Sequence, residues 1–483
     1  MNGRSIGAAS LVRQLGEWRG GGSGAGYRRL ADALRLLILD GRVPLGARLP
    51  GERELASALG VSRTTATAAY ALLRDELYLA SRQGSGSVTR VPGPKPPRPD
   101  PDGGQPETDM VDFAVAAPAA SEAVHPAYRR ALEMLPPHLA VSGLEPLGIA
   151  PLRAAIAEHY RRRGCPTLPE QVMVTNGALH GLALLLKLLT GPGDRVVIDH
   201  PTYPHAIDAV QQAGCRPVPV GLHGGGWDVE ALEAAIRQTA PRLAYLIADF
   251  HNPTGLCMDA ATRARIAELG ARTRTTIVVD ETLAEMWLDA PPPQALSGFD
   301  EAGEVAALGS TGKAYWGGLR IGWIRASRAT IEALVRVRPA LDLGSPVLEQ
   351  LATTLLLEGE SGLEARRERL RGQRRALLEL VARHFPDWRV STPSGGLSLW
   401  AELPEPIGAP LAASAESYGV RIAAGPRFGV DGAFARFLRL PYTLPEAELE
   451  RGIARLALAY RAAGAIGRRA PHALATELRE EVY

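Results

Sequence analysis

Apolar positions recur at two different spacings, and the change from one to the other divides the chain. Helical spacing comes first: Tyr27–Leu39 reads as a helix ending near Gly41, and Gly51–Leu59 as a second stopped by Gly60. Ser62 caps a third that runs to about Glu76. In it Ala66, Ala69, Tyr70 and Leu73 fall at i, i+3, i+4 and i+7 and form the buried face. Thr64, Thr67, Ala68 and Ala71 occupy the opposite face, and Arg63 projects from the first turn. Leu77–Ser81 and Ser87–Val91 then read as two strands around the glycine-rich tip Arg82–Gly86. A helix with small and polar residues on its open face and an arginine at its start suits a DNA major groove.

Seven prolines stand among the twenty residues VPGPKPPRPDPDGGQPETDM (91–110). That stretch has too few apolar residues for a core, and its prolines favour an extended spacer of roughly 60 Å at about 3.1 Å per residue. Beyond it, short apolar strands alternate with helices. The strands are Val172–Val174, Arg195–Ile198, Arg216–Val220, Leu243–Ile247, Thr276–Val279, Val305–Leu308 and Leu319–Ile324. Helices such as Leu179–Leu189, Val229–Ile236 and Ala260–Leu269 fall between them. The alternation predicts an α/β fold on a mostly parallel sheet covered on both faces. Ligands of such sheets sit beyond the carboxyl ends of the strands.

Composition narrows the picture. The 483 residues are 46% hydrophobic and 22% charged, which excludes a disordered or fibrous chain. A net charge of +2 is unevenly placed, since residues 27–90 carry ten arginines against six acids. A basic front on a mildly acidic body fits nucleic-acid contact at one end. Cys165, Cys215 and Cys257 lack metal spacing and read as reduced thiols, and the ten histidines, His180 included, show no clustering, so no metal site is expected. No signal peptide is legible, and the most apolar run, Leu182–Leu189, is interrupted by Lys187 and too short for a bilayer. These features predict a cytoplasmic protein without membrane contact. Arginine greatly outnumbers lysine: Lys95, Lys187 and Lys313 are the three candidates for amine chemistry.

The predicted strand ends carry the chemistry. Thr175-Asn176-Gly177-Ala178 opens a helix whose free amides can hold a phosphate. His200-Pro201-Thr202-Tyr203-Pro204 follows the second strand, Asn252-Pro253-Thr254-Gly255 the fourth, and Asp280-Glu281 the fifth. Val305–Leu308 runs into Gly309-Ser310-Thr311-Gly312-Lys313, with Arg320 seven residues further on. Together they put an anion cradle, an aromatic ring, an amide, a carboxylate, a lysine and an arginine on one rim. Pyridoxal 5'-phosphate (PLP) demands such a set: an amine for its aldehyde, a carboxylate against the pyridine nitrogen, a ring on its face and an arginine for its phosphate.

At this point the chain is similar to known families. The stretch from Val111 onward resembles a fold-type I, aspartate-aminotransferase-like domain, and residues 27–90 resemble a GntR-type winged helix-turn-helix. The joined arrangement resembles the MocR subfamily of GntR transcriptional regulators. The strings that carry it are LPGERELASALGVSRTTATAAYALL (Leu49–Leu73), RQGSGSV, HNPTG, VVDE and GSTGKAYWGGLRIGW. The resemblance implies a winged module over 25–91, a linker over 92–110 and a PLP-binding effector domain over 111–470 with a small C-terminal α+β subdomain. It implies that Lys313 forms the internal aldimine, Asp280 pairs with the pyridine nitrogen, Asn252 bonds the ring hydroxyl and Tyr203 stacks on the ring. Gly177, Ala178, Ser310 and Arg320 would hold the phosphate, and Arg439, in FLRLPY, would grip an amino acid's carboxylate. Arg53, Ser62, Arg63, Thr64, Thr65, Thr67, Gln83 and Gly84 would contact operator DNA. Thr282, Gly143 and Gly312 depart from the family, which more often has tyrosine, tyrosine and serine there.

Taken singly, these residues have ordinary readings: Lys313 as a surface lysine, Asp280 as a helix cap, Tyr203 as packing, the Asn252 string as a turn, Arg439 as a surface arginine. Lys187 reads as a snorkelling helix lysine and Lys95 as a solvated linker residue. The arginine run in Ala365–Arg375 reads as a solvated helix face. The sequence thus predicts a PLP-dependent, homodimeric DNA-binding regulator that senses an amine, an amino acid or PLP itself. An active aminotransferase with an accessory DNA-binding module is the alternative.

Overall fold

The computed structural model describes residues 5–16, 18, 25–39, 42–43, 47–76, 78–82, 86–90, 110–223, 225–359 and 362–477. They form two compact units, one of Met1–Asp112 with Glu405–Arg427 and Arg451–Tyr483, the other of Phe113–Pro404 with Phe428–Glu450. The expected body over 111–470 contributes residues to both. Near its start the Val111 N–H donates to Gly419 O at 2.9 Å, and Arg421 pairs with Asp112, joining residues 111–112 to the 405–427 segment.

In the first unit the helices are Gly26–Leu39, Glu52–Leu59 and Arg63–Asp75. Gly60 ends the second at φ +61°, a left-handed cap that glycine adopts without a Cβ clash. Ser62 caps the third by accepting from the Thr65 N–H, and the buried residues of that helix are Ala66, Ala69, Tyr70 and Leu73, as the periodicity predicts. Leu79–Arg82 and Gly86–Thr89 pair as an antiparallel hairpin. The module also begins earlier than residue 25. A helix at Ala8–Leu15, which the surrounding glycines and polar residues concealed, puts Leu11 and Leu15 into one core with Leu30, Leu34, Leu55 and Tyr70.

The second unit holds an eight-stranded sheet. Its order is Val172–Thr175, Gly322–Arg325, Val305–Ser310, Thr276–Asp280, Leu243–Ile247, Arg195–His200, Arg216–His223, Gly226–Trp227. The five strands from Val305–Ser310 to Arg216–His223 run parallel. Gly322–Arg325 runs against both its neighbours. The apolar pattern starts this strand at Leu319. Instead Gly317–Leu319 is a short 3-10 turn and Arg320 sits at φ +52°, which holds the backbone out of the ladder until Gly322. The helix Ala178–Leu189 packs Leu182, Leu184, Leu185 and Leu186 onto the sheet, while Lys187 stays exposed. Arg389–Val390, Ser398–Glu402 and Phe437–Pro441 form an antiparallel set near the C-terminus. No helix of the described residues is long and apolar enough to cross a membrane.

The arginine run corrects an expectation. Arg366 and Arg367, on the helix Leu363–His384, are buried rather than solvated. Arg367 lies over the Trp287 ring at 4.0 Å and pairs with Glu285. Arg366 donates to the carbonyls of Lys313, Ala119 and Tyr315. Helical spacing places a side chain on a face, but what covers that face is set by segments distant in sequence.

Candidate functional site

Parallel strands end on one edge, so the residues that follow them collect there. Asp280 is the last residue of its strand and is 7% exposed. Its Oδ2 accepts from the Tyr245 hydroxyl at 2.7 Å and its Oδ1 from the Thr282 N–H at 2.9 Å. Burial raises its pKa, and these hydrogen bonds and Lys313 oppose the rise.

Lys313 lies on the short helix Thr311–Ala314, where Ser310 caps the turn by accepting from the Gly312 N–H at 3.0 Å. Its Nζ donates to Ala116 O at 2.6 Å. Burial and then the charge of Arg439 bring its pKa down to about 8, while Asp280 pulls it up. Lys313 thus feels a cation and a carboxylate, neither of which is near it in sequence.

Arg439, on Phe437–Pro441, is 6% exposed. Its guanidinium lies 5.3 Å from the centre of the Phe428 ring and donates through Nη2 to Ala114 O. Lys313 and Arg439 therefore bind the same short stretch, 114–116, which no motif singles out. Tyr203 precedes the helix Pro204–Gln212, and the charges of Asp280, Arg439 and Arg320 all reach its phenol.

The phosphate cradle rests on two glycines. Gly177 precedes the helix Ala178–Leu189 at φ +89°, with no side chain capping the free amides. A Cβ there would come 2.9 Å from Arg320 Nη2, so only glycine lets the guanidinium lie against this turn. A Cβ on Gly322 would meet the Gly177 carbonyl carbon at 2.6 Å, so that glycine lets the strand approach the helix start. Arg320 is exposed and donates to Asn176 O at 3.2 Å. Behind the rim, Asn252 buries its amide oxygen with no hydrogen-bond partner among the described residues.

These groups fit PLP. The orphaned Asn252 amide suits the ring hydroxyl, the buried Asp280 carboxylate suits a protonated ring nitrogen, and the open helix start with Arg320 suits the phosphate. Lys313, Asp280, Asn252, Tyr203, Ser310, Arg320, Gly177, Ala178 and Arg439 all belong to the second unit.

A buried ion network holds Glu281, the residue that follows Asp280. Arg163 pairs with Glu281 at 2.8 Å and with Asp249 at 2.9 Å, and Arg263 pairs with Asp249 at 2.6 Å. Nearby, burial pushes the Asp199 carboxyl up to about 8 and the His251 imidazole down to about 3. The only sequence signal for the network was the acid beside Asp280 in VVDE. Arg163 lies in an arginine triplet more than eighty positions from either partner. No group of three or more His, Cys, Asp or Glu side chains that could hold a metal gathers among the described residues.

In the first unit, Arg53, Ser62, Arg63 and Thr64 are exposed. Ser62 Oγ bonds the hydroxyls of Thr64 and Thr65 at 2.7 and 2.8 Å, so those threonines also brace the helix start. Thr67 donates to Glu52 at 2.8 Å, and Arg74 binds the same carboxylate, locking the two helices together. Gln83 and Gly84 lie outside the described residues.

Two family models match the chain: "Aminotransferase class I and II" over residues 124–456 and "Bacterial regulatory proteins, gntR family" over 26–88. The probable rhizopine catabolism regulatory protein MocR of Rhizobium meliloti is 30% identical over 389 residues, spanning 75% of this chain and 78% of that protein. The uncharacterized HTH-type transcriptional regulator YisV of Bacillus subtilis is 27% identical over 466 residues, 88% of this chain and 94% of its own. Among solved structures, LysN from Thermus thermophilus is similar with a TM-score of 0.68 and 29% identity. That structure is of an alpha-aminoadipate aminotransferase complexed with N-(5'-phosphopyridoxyl)-L-leucine, and the match covers 74% of this chain and 94% of that one.

Proposed function

Because this chain belongs to the class I and II aminotransferase family and carries a GntR-type module ahead of it, in the arrangement of the MocR subfamily, we propose that it uses its PLP site as a sensor. It is a DNA-binding regulator with a PLP-type domain; what it senses, and through which residues, is the proposal. The observation that carries it is Lys313, half-buried with its Nζ on Ala116 O and within the charge of Asp280 and Arg439, in a chain whose other unit presents Arg63 to solvent. PLP supplies an aldehyde for amines and a protonated ring that withdraws electrons. Lys313 would bind that aldehyde, Asp280 would keep the ring nitrogen protonated, Asn252 and Tyr203 would orient the ring, and Gly177, Ala178, Ser310 and Arg320 would hold the phosphate. An incoming amine or amino acid competes with Lys313, and its carboxylate engages Arg439. Lys313 and Arg439 both bond 114–116, the stretch that follows the linker in sequence, and release of those bonds on effector binding would carry the signal toward the DNA module. We place the protein in the cytoplasm, where operator DNA is.

A homodimer suits this reading. Leu139, Val141 and Leu144 are 71%, 64% and 56% exposed. Leu341 and Leu343 are also exposed, and Gly344 packs against Glu145, so the two stretches adjoin. An apolar surface of that kind fits a second copy of the chain, and two winged modules fit a repeated half-site.

The testing experiment is an operator titration, by anisotropy and sedimentation, of the PLP-loaded chain with and without candidate amines. Two chains per operator and an amine-dependent affinity are expected. Arg63→Ala should cost 10-fold or more in affinity, about 1.4 kcal/mol or above, with affinity of the parent falling steeply as salt rises. Amine-independent binding would end the sensor reading, and full binding by Arg63→Ala would end the helix assignment. Likeness to LysN favours the aminotransferase reading instead, which requires steady turnover of an amino donor and a keto acid.

Only a neutral amine attacks an aldehyde, so the rate at which the apoprotein captures PLP should rise through about pH 8, following Lys313. A rate still rising roughly tenfold per unit beyond about pH 9.5 would show a lysine of ordinary pKa at work.

A further inference from the structure

The strand Leu243–Ile247 carries a polar group that no motif assigns. Tyr245 is 1% exposed within an otherwise apolar run, two positions before Ile247, which pairs with Asp280 in the parallel ladder. Residues two apart share a sheet face, so Tyr245 and Asp280 project from the same side. A buried phenol loses free energy unless its hydroxyl is hydrogen-bonded, and here its one proton goes to Asp280 Oδ2 at 2.7 Å. The second carboxylate oxygen is held by the Thr282 backbone N–H.

We propose that Tyr245 is the positioning residue that orients the Asp280 carboxylate and weakens its basicity toward the ring nitrogen of bound PLP. The inference rests on the reading of Asp280 as the partner of that nitrogen. With Tyr245 on one oxygen and Thr282 on the other the carboxylate cannot rotate freely, and part of its negative charge is already neutralised. Among the influences that oppose the burial of Asp280, the Tyr245 bond is the largest. Burial and the neighbouring carboxylate push the phenol's own pKa far up, so Tyr245 stays a donor at every working pH. The other ionisable groups around the pair are Lys313 on the Thr311–Ala314 turn, Tyr203 ahead of its helix, and Asp199 on the adjacent strand. Without the hydroxyl, Asp280 competes more strongly for the proton it shares with the ring. Bound PLP would then carry less positive charge on its ring, which would raise the pH at which its visible absorption titrates.

The test is a pH titration of the visible absorption of the full chain loaded with PLP, comparing Tyr245→Phe, Asp280→Asn and the double variant. Tyr245→Phe keeps the buried ring and removes only the hydroxyl. Its titration midpoint should move up by about 1 pH unit, the size of one hydrogen bond to a charged group. In the Asp280→Asn background the same exchange should move it by less than about 0.2 unit, because the charged partner is gone. An unchanged midpoint in Tyr245→Phe, or an equal shift with and without the Asp280 carboxylate, overturns the role of Tyr245. An unchanged midpoint in Asp280→Asn overturns instead the placement of Asp280 against the ring nitrogen.

Discussion

Lys313→Ala abolishes the covalent capture of PLP: the visible band disappears, and borohydride leaves no cofactor mass on the protein. The loss should be complete rather than graded, because the remaining lysines cannot substitute. Lys187 is exposed on the helix Ala178–Leu189, whose packed leucines face the sheet, and Lys95 belongs to the proline-rich stretch. Lys313, by contrast, is half-buried and feels the charges of both Arg439 and Asp280. The cradle of Gly177, Ala178 and Arg320 survives the substitution, so phosphate-dependent, non-covalent binding should persist at lower affinity. Lys187→Ala, as the control, should keep the band. A borohydride-stable adduct in Lys313→Ala would remove this lysine from its role.

Arg163→Met should cost about 3–5 kcal/mol of stability, the usual result of leaving a buried charge without its partner. Arg163 is 13% exposed at its side chain and is the shared cation of Glu281 and Asp249, exposed at 1% and 0%. Arg263 still pairs with Asp249 after the change, whereas Glu281 is left without its cation. The pH dependence has a definite sign. Burial already raises the Glu281 pKa and Arg163 opposes that rise, so the variant's Glu281 rises further above its unfolded value. A carboxyl with a raised folded pKa is favoured when protonated, so the deficit should be fullest above that pKa and shrink as pH falls through it toward the unfolded value. Thermal unfolding of parent and variant at about pH 5 and about pH 8 measures both. A difference below about 1 kcal/mol at the higher pH would mean the network behaves like a solvent-exposed ion pair. Because Glu281 follows Asp280 directly, the variant should also hold PLP more weakly.

Much of the site was legible because it rides on strand ends. Asp280, Ser310 and Asn252 follow short apolar blocks, and the turn chemistry after each block is local, so periodicity and motif placed them on one rim. Lys313 was singled out as a candidate by its rarity and its neighbours. The winged helix was legible for the same reason: Ser62 and the spacing of Ala66, Ala69, Tyr70 and Leu73 are local signals that the fold obeys. The helix at Ala8–Leu15 was hidden because glycines flank it and its core contacts lie in later helices. The burial of Arg366 and Arg367 was hidden because helical spacing says nothing about what covers a helix.

What the sequence determined by itself was the order of elements, the α/β class and the types of group at each strand end. These depend on hydrophobic period and turn chemistry within a few residues. The tertiary structure decided which groups feel one another. Tyr245 bonds Asp280 across 35 positions, Arg163 reaches Glu281 across 118, and Lys313 and Arg439 both bind the 114–116 stretch from far downstream. Such couplings are electrostatic and steric. They fall off over a few ångströms in space while being blind to separation along the chain, so only the folded arrangement sets them.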